Sequence, residues 1–216
     1  MLSASLGPVV GYKIGCTTRA LQEFMKIDNP CAGAIFASTV FEPGVRLDRT
    51  RFVRPGIECE IGVRLRSVLD PRDGPIDRKR AAEAVEAVFT SIEIVDERYV
   101  DYRVLATPVL VADNFMNAGC IKGAERKDVD PLSLDRARGS TVVNGETIGA
   151  GVGSDILGHP LEALMWLATE LSSRGRPLAA GTFVSLGSMV KPYFPQPGDR
   201  VTIVNDMLGE VALTVA

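Results

Sequence analysis

Glu58 and Glu60 stand two residues apart in RPGIECEIGVRL (residues 54–65), and Glu93 stands between two isoleucines in SIEIVD (residues 91–96). On a pleated strand, side chains at i and i+2 share a face, so Glu58 and Glu60 point one way while Ile57, Cys59, Ile61, Val63 and Leu65 point the other. Two carboxylates a few ångströms apart repel, and the bare E-x-E pattern also fits the solvated side of an antiparallel strand. Glu93 shifts that balance. The apolar run around it predicts burial, and an ionised glutamate stays buried only with a cation, a hydrogen-bond donor or a proton. Three oxygen ligands, with no histidine or thiolate among them, suit a hard ion such as Mg²⁺ or Mn²⁺ that keeps positions open for water and substrate.

Other chemistries lack their parts. The chain has one histidine, His159, whereas most zinc hydrolase sites require two or three. It precedes Pro160 in LGHPLEAL, where it reads as a residue at a helix start rather than a base. The four cysteines, Cys16, Cys31, Cys59 and Cys120, form no C-x-x-C pair and are expected to be reduced packing residues. GAGVGSD (residues 149–155) follows a hairpin rather than the first strand of a βαβ unit, which argues against a dinucleotide loop. Neither G-x-x-x-x-G-K-[ST] nor G-x-S-x-G occurs.

The 216 residues are 46% hydrophobic, enough for a substantial core. A net charge of −3, 6% aromatic content and no basic run give no support to nucleic-acid binding. The first residues lack a basic segment followed by an apolar one, and no stretch approaches the ~18 apolar residues of a membrane span. A cytoplasmic protein without membrane partners is expected.

The elements that must position these residues follow from periodicity. PVVGYKIG reads as a strand and TTRALQEFMKI as a short helix, capped by Thr17 or Thr18, with Leu21, Phe24 and Met25 on one face. RKRAAEAVEAVFTSI is predicted to be a helix with Val85, Val88 and Phe89 as its apolar stripe. It delivers the Glu93 strand. TPVLVADNFMNAGCIKG reads as a loop entering a strand, and Asn144-Gly145 in TVVNGETIGAG is a strong hairpin signal. HPLEALMWLATELSSRG is a helix with Pro160 at its first turn, Leu161, Leu164, Ala168 and Leu171 at helical spacing, and Gly175 as its stop. The remainder is strand and turn. With no repeat and no linker, residues 1–216 are expected to form a single β-rich α+β domain.

GYKIGCTTRALQ, IECEIGVRL, SIEIVDERY, VADN, LGHPLEALMWLA, AGTFVSLGS and PGD, in this order, resemble the 2-oxopent-4-enoate hydratase and 4-oxalocrotonate decarboxylase group of the fumarylacetoacetate hydrolase superfamily. The resemblance runs from about Val9 onward. It implies a mixed β-roll of the fumarylacetoacetate hydrolase C-terminal type with a few flanking helices, lacking the helical segment usual ahead of it, and a homo-oligomer. It implies that Glu58, Glu60 and Glu93 ligate a divalent metal, Mg²⁺ or Mn²⁺, which chelates a small 2-oxo acid through its carboxylate and keto oxygens. Lys13 of GYKIG, otherwise read as a solvent-facing lysine, becomes the pocket lysine and the candidate catalytic residue. Ser188 and Gly187 of LGS are placed near the substrate, with Asp113 and Asn114 as wall or support. The activity implied is a hydratase of aromatic meta-cleavage catabolism. The alternatives are a 2-oxo acid decarboxylase, an acylpyruvate or fumarylacetoacetate-type C–C hydrolase, or a catalytically silent homologue that binds a metal and a 2-oxo acid. One departure bears on that choice: hydratases of the group read P-D-x-G where this chain has Pro30-Cys31-Ala32-Gly33.

Overall fold

Two sheets share one apolar core, and the larger carries Glu58, Glu60 and Glu93. The computed structural model describes residues 2–216. In chain order the elements are α1 (Leu2–Leu6), β1 (Val9–Gly15), α2 (Arg19–Met25), β2 (Cys31–Phe36), β3 (Val40–Phe41), β4 (Arg46–Leu47), β5 (Pro55–Leu65) and α3 (Arg78–Ala84). They continue with β6 (Val85–Asp96), α4 (Thr107–Ala112), β7 (Asn117–Lys122), β8 (Arg138–Val143), β9 (Glu146–Val152), α5 (Pro160–Ser173), β10 (Phe183–Tyr193), β11 (Arg200–Asn205) and β12 (Gly209–Val215). The seven-stranded sheet runs β2-β1-β10-β5-β6-β7-β3 and the five-stranded sheet β4-β12-β11-β8-β9. β1 pairs parallel with β10, and β5 is antiparallel to both β10 and β6. This mixed pairing is the curled, β-rich α+β architecture expected.

β5 and β6 form the spine. Ile57, Cys59, Ile61 and Val63 face Ile94, Ile92, Thr90 and Val88 across the ladder, and all eight are 0% exposed. That face packs in one cluster with Leu161, Leu164 and Leu167 of α5 and with Val201, Ile203 and Leu213 of the smaller sheet. Burying each such side chain contributes up to ~1.5–3 kcal/mol, so the ladder is held from behind. At one end of the opposite face, Phe89 meets Phe183 edge-on, with centroids 6.4 Å apart, and Ile35 and Cys120 complete the patch.

α5 matches its signals. His159 caps it, with Nδ1 accepting from Leu161 N at 3.0 Å and Nε2 placed to donate to the Leu132 carbonyl at 3.2 Å. Both ring nitrogens are used, so His159 has a structural role. Gly175, at φ 71°, ends the helix as Arg176 N reaches back to the Leu171 carbonyl. Asn144 and Gly145 take φ of 51° and 91° in the β8–β9 hairpin.

Three expectations need correction. The helix through Val85, Val88 and Phe89 stops at Ala84, and those residues belong to β6. Their spacing mimics a helical stripe, but the segment is buried on both sides, as a central strand is. Within TPVLVADN, residues 107–112 form α4 rather than loop. In α2, Thr18 is the cap and Met25 is buried, while Leu21 and Phe24 are 37% and 49% exposed. Among the described residues, no helix is long and apolar enough to cross a membrane.

Candidate functional site

The register of β5 against β6 sets Glu58 opposite Glu93 and Glu60 opposite Ser91, so the three glutamates share the face turned away from the apolar core. One carboxylate oxygen from each lies within 4.8 Å of the others. Glu60 and Glu93 are 1% and 2% exposed, and Glu58 is partly buried. Lys13 comes from β1, next but one in the sheet, and its Nζ stands 3.2 Å from Glu93 Oε1. This lysine is buried, contrary to its plain reading as a strand lysine in solvent.

Three acids and one ammonium in a dry setting leave an excess of negative charge. Burial, and then the neighbouring Glu93, push Glu58 up to about 8. Burial, and then Glu93 and Glu58, hold Glu60 well above the usual carboxylate range. Burial pulls the Lys13 ammonium down, but Glu93, Glu58 and Glu60 outweigh it and leave Lys13 above its ordinary value. An oxygen-only donor set carrying unbalanced negative charge fits a hard divalent cation, whose charge would offset both the repulsion and the burial.

The supports around the acids are specific. Asn117 donates from Nδ2 to Glu93 Oε1 at 3.0 Å. A bulge in β10 between Ser185 and Ser188 turns the Gly187 N–H toward Glu60 Oε2, at 3.3 Å. Gly187 sits at φ 128°, and a Cβ there would come within 2.4 Å of Thr17 Oγ1, so no other residue fits. Ser185 donates to Ser91 at 3.0 Å, and Ser91 lies 3.5 Å from the Cys120 sulfur, extending a buried polar chain behind Glu60. Ser188 is spent differently: its hydroxyl faces the carbonyls of Val190 and Cys59, at 2.7 and 3.3 Å, and holds the bulge.

A roof covers Lys13. Asn114, Phe115 and Met116 take φ of 58°, 53° and 61°, three consecutive left-handed residues, which costs of order 1 kcal/mol or more apiece. The Asn114 amide offsets this by donating to the Ala34 carbonyl at 2.8 Å and accepting from Ala34 N at 3.0 Å. Gly33 admits that approach, since a Cβ there would meet Asn114 Oδ1 at 2.2 Å. The turn delivers the Phe115 ring to 5.4 Å from Lys13 Nζ. Asp113 stands behind the roof. It pairs with Arg98 at 3.1 Å, and Arg98 binds the carbonyls of Met116 and Asn117.

Cys31 lies opposite Gly15 on the wall next to Lys13. The neighbouring Cys16 thiol, with help from Lys13, lowers Cys31 against its burial, while Cys31 and burial raise Cys16. All four cysteines are free and buried. The structure thus gathers Lys13, Glu58, Glu60, Glu93, Gly187 and Asn114, and sets Asp113 and the Ser188 hydroxyl behind them. Asn117, Phe115 and Ser185 are further members that the sequence did not signal.

The family model described as fumarylacetoacetate (FAA) hydrolase C-terminal matches residues 14–216. A 2-hydroxyhexa-2,4-dienoate hydratase of Comamonas testosteroni is 33% identical over 210 residues, covering 95% of this chain and 77% of that protein. A 4-oxalocrotonate decarboxylase of Pseudomonas putida is 30% identical, covering 94% of this chain and 76% of that protein. Among solved structures, the 4-oxalocrotonate decarboxylase of Pseudomonas putida G7, complexed with magnesium and adipate, superposes with a TM-score of 0.91 at 28% identity. That match covers 100% of this chain and 81% of the other.

Proposed function

The chain belongs to the fumarylacetoacetate hydrolase family, and from that premise we propose that it is a divalent-metal-dependent lyase of a small 2-oxo acid, in the first place a 2-keto-4-pentenoate hydratase-like enzyme. The observation that carries this reading is the convergence of Glu58, Glu60 and Glu93, with oxygens within 4.8 Å of one another, beside a buried lysine. These glutamates would hold Mg²⁺ or Mn²⁺. When bound, such a cation supplies electrophilic stabilisation to a keto oxygen and to the charge that develops as a proton moves or a C–C bond breaks.

The remaining work falls to the chain. Glu93 and its neighbours keep Lys13 protonated, so Nζ is a hydrogen-bond donor and proton source facing the substrate rather than a resting base. Asn117 and Gly187 fix the directions of Glu93 and Glu60. Phe115 covers the ammonium and excludes water from it. Ser188 and Asp113 act by position, holding the bulge and the roof.

One observation favours a second reading, decarboxylation or C–C hydrolysis. The wall beside Lys13 carries the Cys16–Cys31 thiol pair, so water addition has no further carboxylate there to shuttle its proton. Purified protein with Mg²⁺ is to be assayed for water addition, CO₂ release and C–C cleavage on 2-oxo acids. The hydratase reading expects water addition to lead, and Cys31→Asp to raise it. CO₂ release leading favours the second reading, and turnover absent in all three, with metal and oxalate still bound, leaves a silent binding homologue. The proposal extends to a homo-oligomer, supported by exposed Val100, Val104, Val109 and Phe24. Light scattering tests it, and a monomer at working concentration contradicts it.

A further inference from the structure

The four free cysteines are divided among three apolar clusters. Cys59 belongs to the main core and Cys120 to the patch around Phe89, whereas Cys16 and Cys31 share one cluster with Met25 and Leu110. The pair sits where β1 ends and β2 begins, with Gly15 opposite Cys31 in the antiparallel ladder. Opposed residues are about 4.5–5.5 Å apart at Cα and consecutive ones about 3.8 Å, which sets the Cα atoms of Cys16 and Cys31 roughly 6 Å from each other. That is within the span a disulfide bridges.

The local backbone turns the two side chains together. By strand alternation Cys16 would face away from Cys31, but its φ of 57° takes it out of the pleat. Two bonds hold that turn: Gln22 Nε2 donates to the Cys16 carbonyl at 2.8 Å, and Leu157 N to the Thr17 carbonyl at 3.0 Å. Cys31 shares a face with Gly15, and a Cβ at Gly15 would stand 3.4 Å from Lys13 Nζ, so the ammonium lies on the Cys31 side of the strand pair. The neighbouring Cys16 and then that ammonium hold Cys31 below the usual thiol range against its burial, so the first proton leaves from Cys31. Cys31 is also the more accessible of the two, at 9% against 2%.

We propose that Cys16 and Cys31 form a modification site, a dithiol that hydrogen peroxide converts reversibly into an intramolecular disulfide. The Cys31 thiolate attacks one peroxide oxygen and the O–O bond breaks, which leaves a sulfenic acid on Cys31 and a hydroxide that takes a proton to become water. The Cys16 sulfur, giving up its proton, then attacks the Cys31 sulfur, the S–O bond breaks and a second water leaves. Two thiols lose two electrons and one peroxide gains them. A small dithiol reverses the bond by exchange. The bridge would close the segment 16–31, which carries α2 and Thr17, the residue packed against Gly187. It needs neither metal nor substrate, so it stands apart from the function proposed above.

The test is peptide mapping of the full, folded chain after a few equivalents of hydrogen peroxide, blocking with iodoacetamide and tryptic digestion without reductant. Cleavage after Lys13, Arg19, Lys26 and Arg46 puts Cys16 in residues 14–19 and Cys31 in residues 27–46. These two peptides should appear joined, with Cys59 and Cys120 still reduced. Closing a loop of this length should raise the melting temperature by about 5–10 °C, and dithiothreitol should undo both changes. Cys16→Ser should lose the joined peptide and the thermal shift, and leave Cys31 to oxidise further. A wild-type chain that keeps all its thiols, a bridge to Cys59 or Cys120, or Cys31 overoxidised without a bridge overturns the proposal. A Cys16–Cys31 bridge that fails to raise the melting temperature also overturns it, because the folded chain would then have to deform to make the bond.

Discussion

The two faces of the β5–β6 ladder are built from the same strands and obey opposite rules. Behind, Ile57, Cys59, Ile61 and Val63 meet Val88, Ile92 and Ile94 with no solvent contact. In front, the alternate residues are Glu58, Glu60 and Glu93, the last two buried and Glu58 partly so, all acidic and faced within the protein by Lys13. The apolar face contributes stability through burial. The acidic face costs stability, because its carboxylates are held away from water and against one another. A fold keeps such a face when the strain is relieved by something bound, and the rigid apolar backing holds the glutamates at ligand spacing until then.

The largest effect that separates the faces should come from Glu60→Gln. Turnover and Mg²⁺ affinity should each fall by ~10³-fold, while the metal-free protein should melt no lower than wild type, since a repelling carboxylate has gone. Steady-state assays and a melting curve check the pair of outcomes, and a lower Tm for the metal-free variant would assign Glu60 a net stabilising role. Next, Ile92→Ala on the rear face should cost ~2–5 kcal/mol by denaturant unfolding. Its folded fraction should bind Mg²⁺ nearly as wild type does.

Asn117→Ala should be milder, because it removes the donor to Glu93 and no ligand: a loss of ~10–100-fold in metal affinity. An unchanged affinity would reduce Asn117 to a packing residue. The smallest effect is on pH. Glu58, raised to about 8, and Glu60, raised further from its usual range, bind protons in the folded state that the unfolded chain has released. Their contribution is therefore full below about pH 4.5 and is lost as pH rises toward and through about 8. The metal-free Tm should decline across that window, by ~2–4 °C for each kcal/mol. Saturating Mg²⁺ should flatten the decline.

Much of this contrast was legible in the sequence because strand alternation is local. IECEI fixes which residues share a face, and the isoleucines around Glu93 announce its burial. The caps of α5 and the Asn144-Gly145 turn are equally local. What escaped depends on register between distant segments. Asn117 reaches Glu93 only because the β6–β7 pairing shifts between Ile94 and Val95, and Phe115 covers Lys13 only because three left-handed residues turn it there. Val85, Val88 and Phe89 satisfied a helical period, and pairing with β5 outweighed it. Lys13 was ambiguous for the same reason: its partner lies eighty residues away in the sequence.

The central claim, that the acidic face is a cation site held partly protonated until filled, is most directly tested by calorimetric Mg²⁺ titration at pH 7 in buffers of different ionisation enthalpy. Binding of one ion per chain should release protons, because Glu58 and Glu60 must lose theirs to coordinate. Absence of saturable binding, or binding with no proton released, would contradict it.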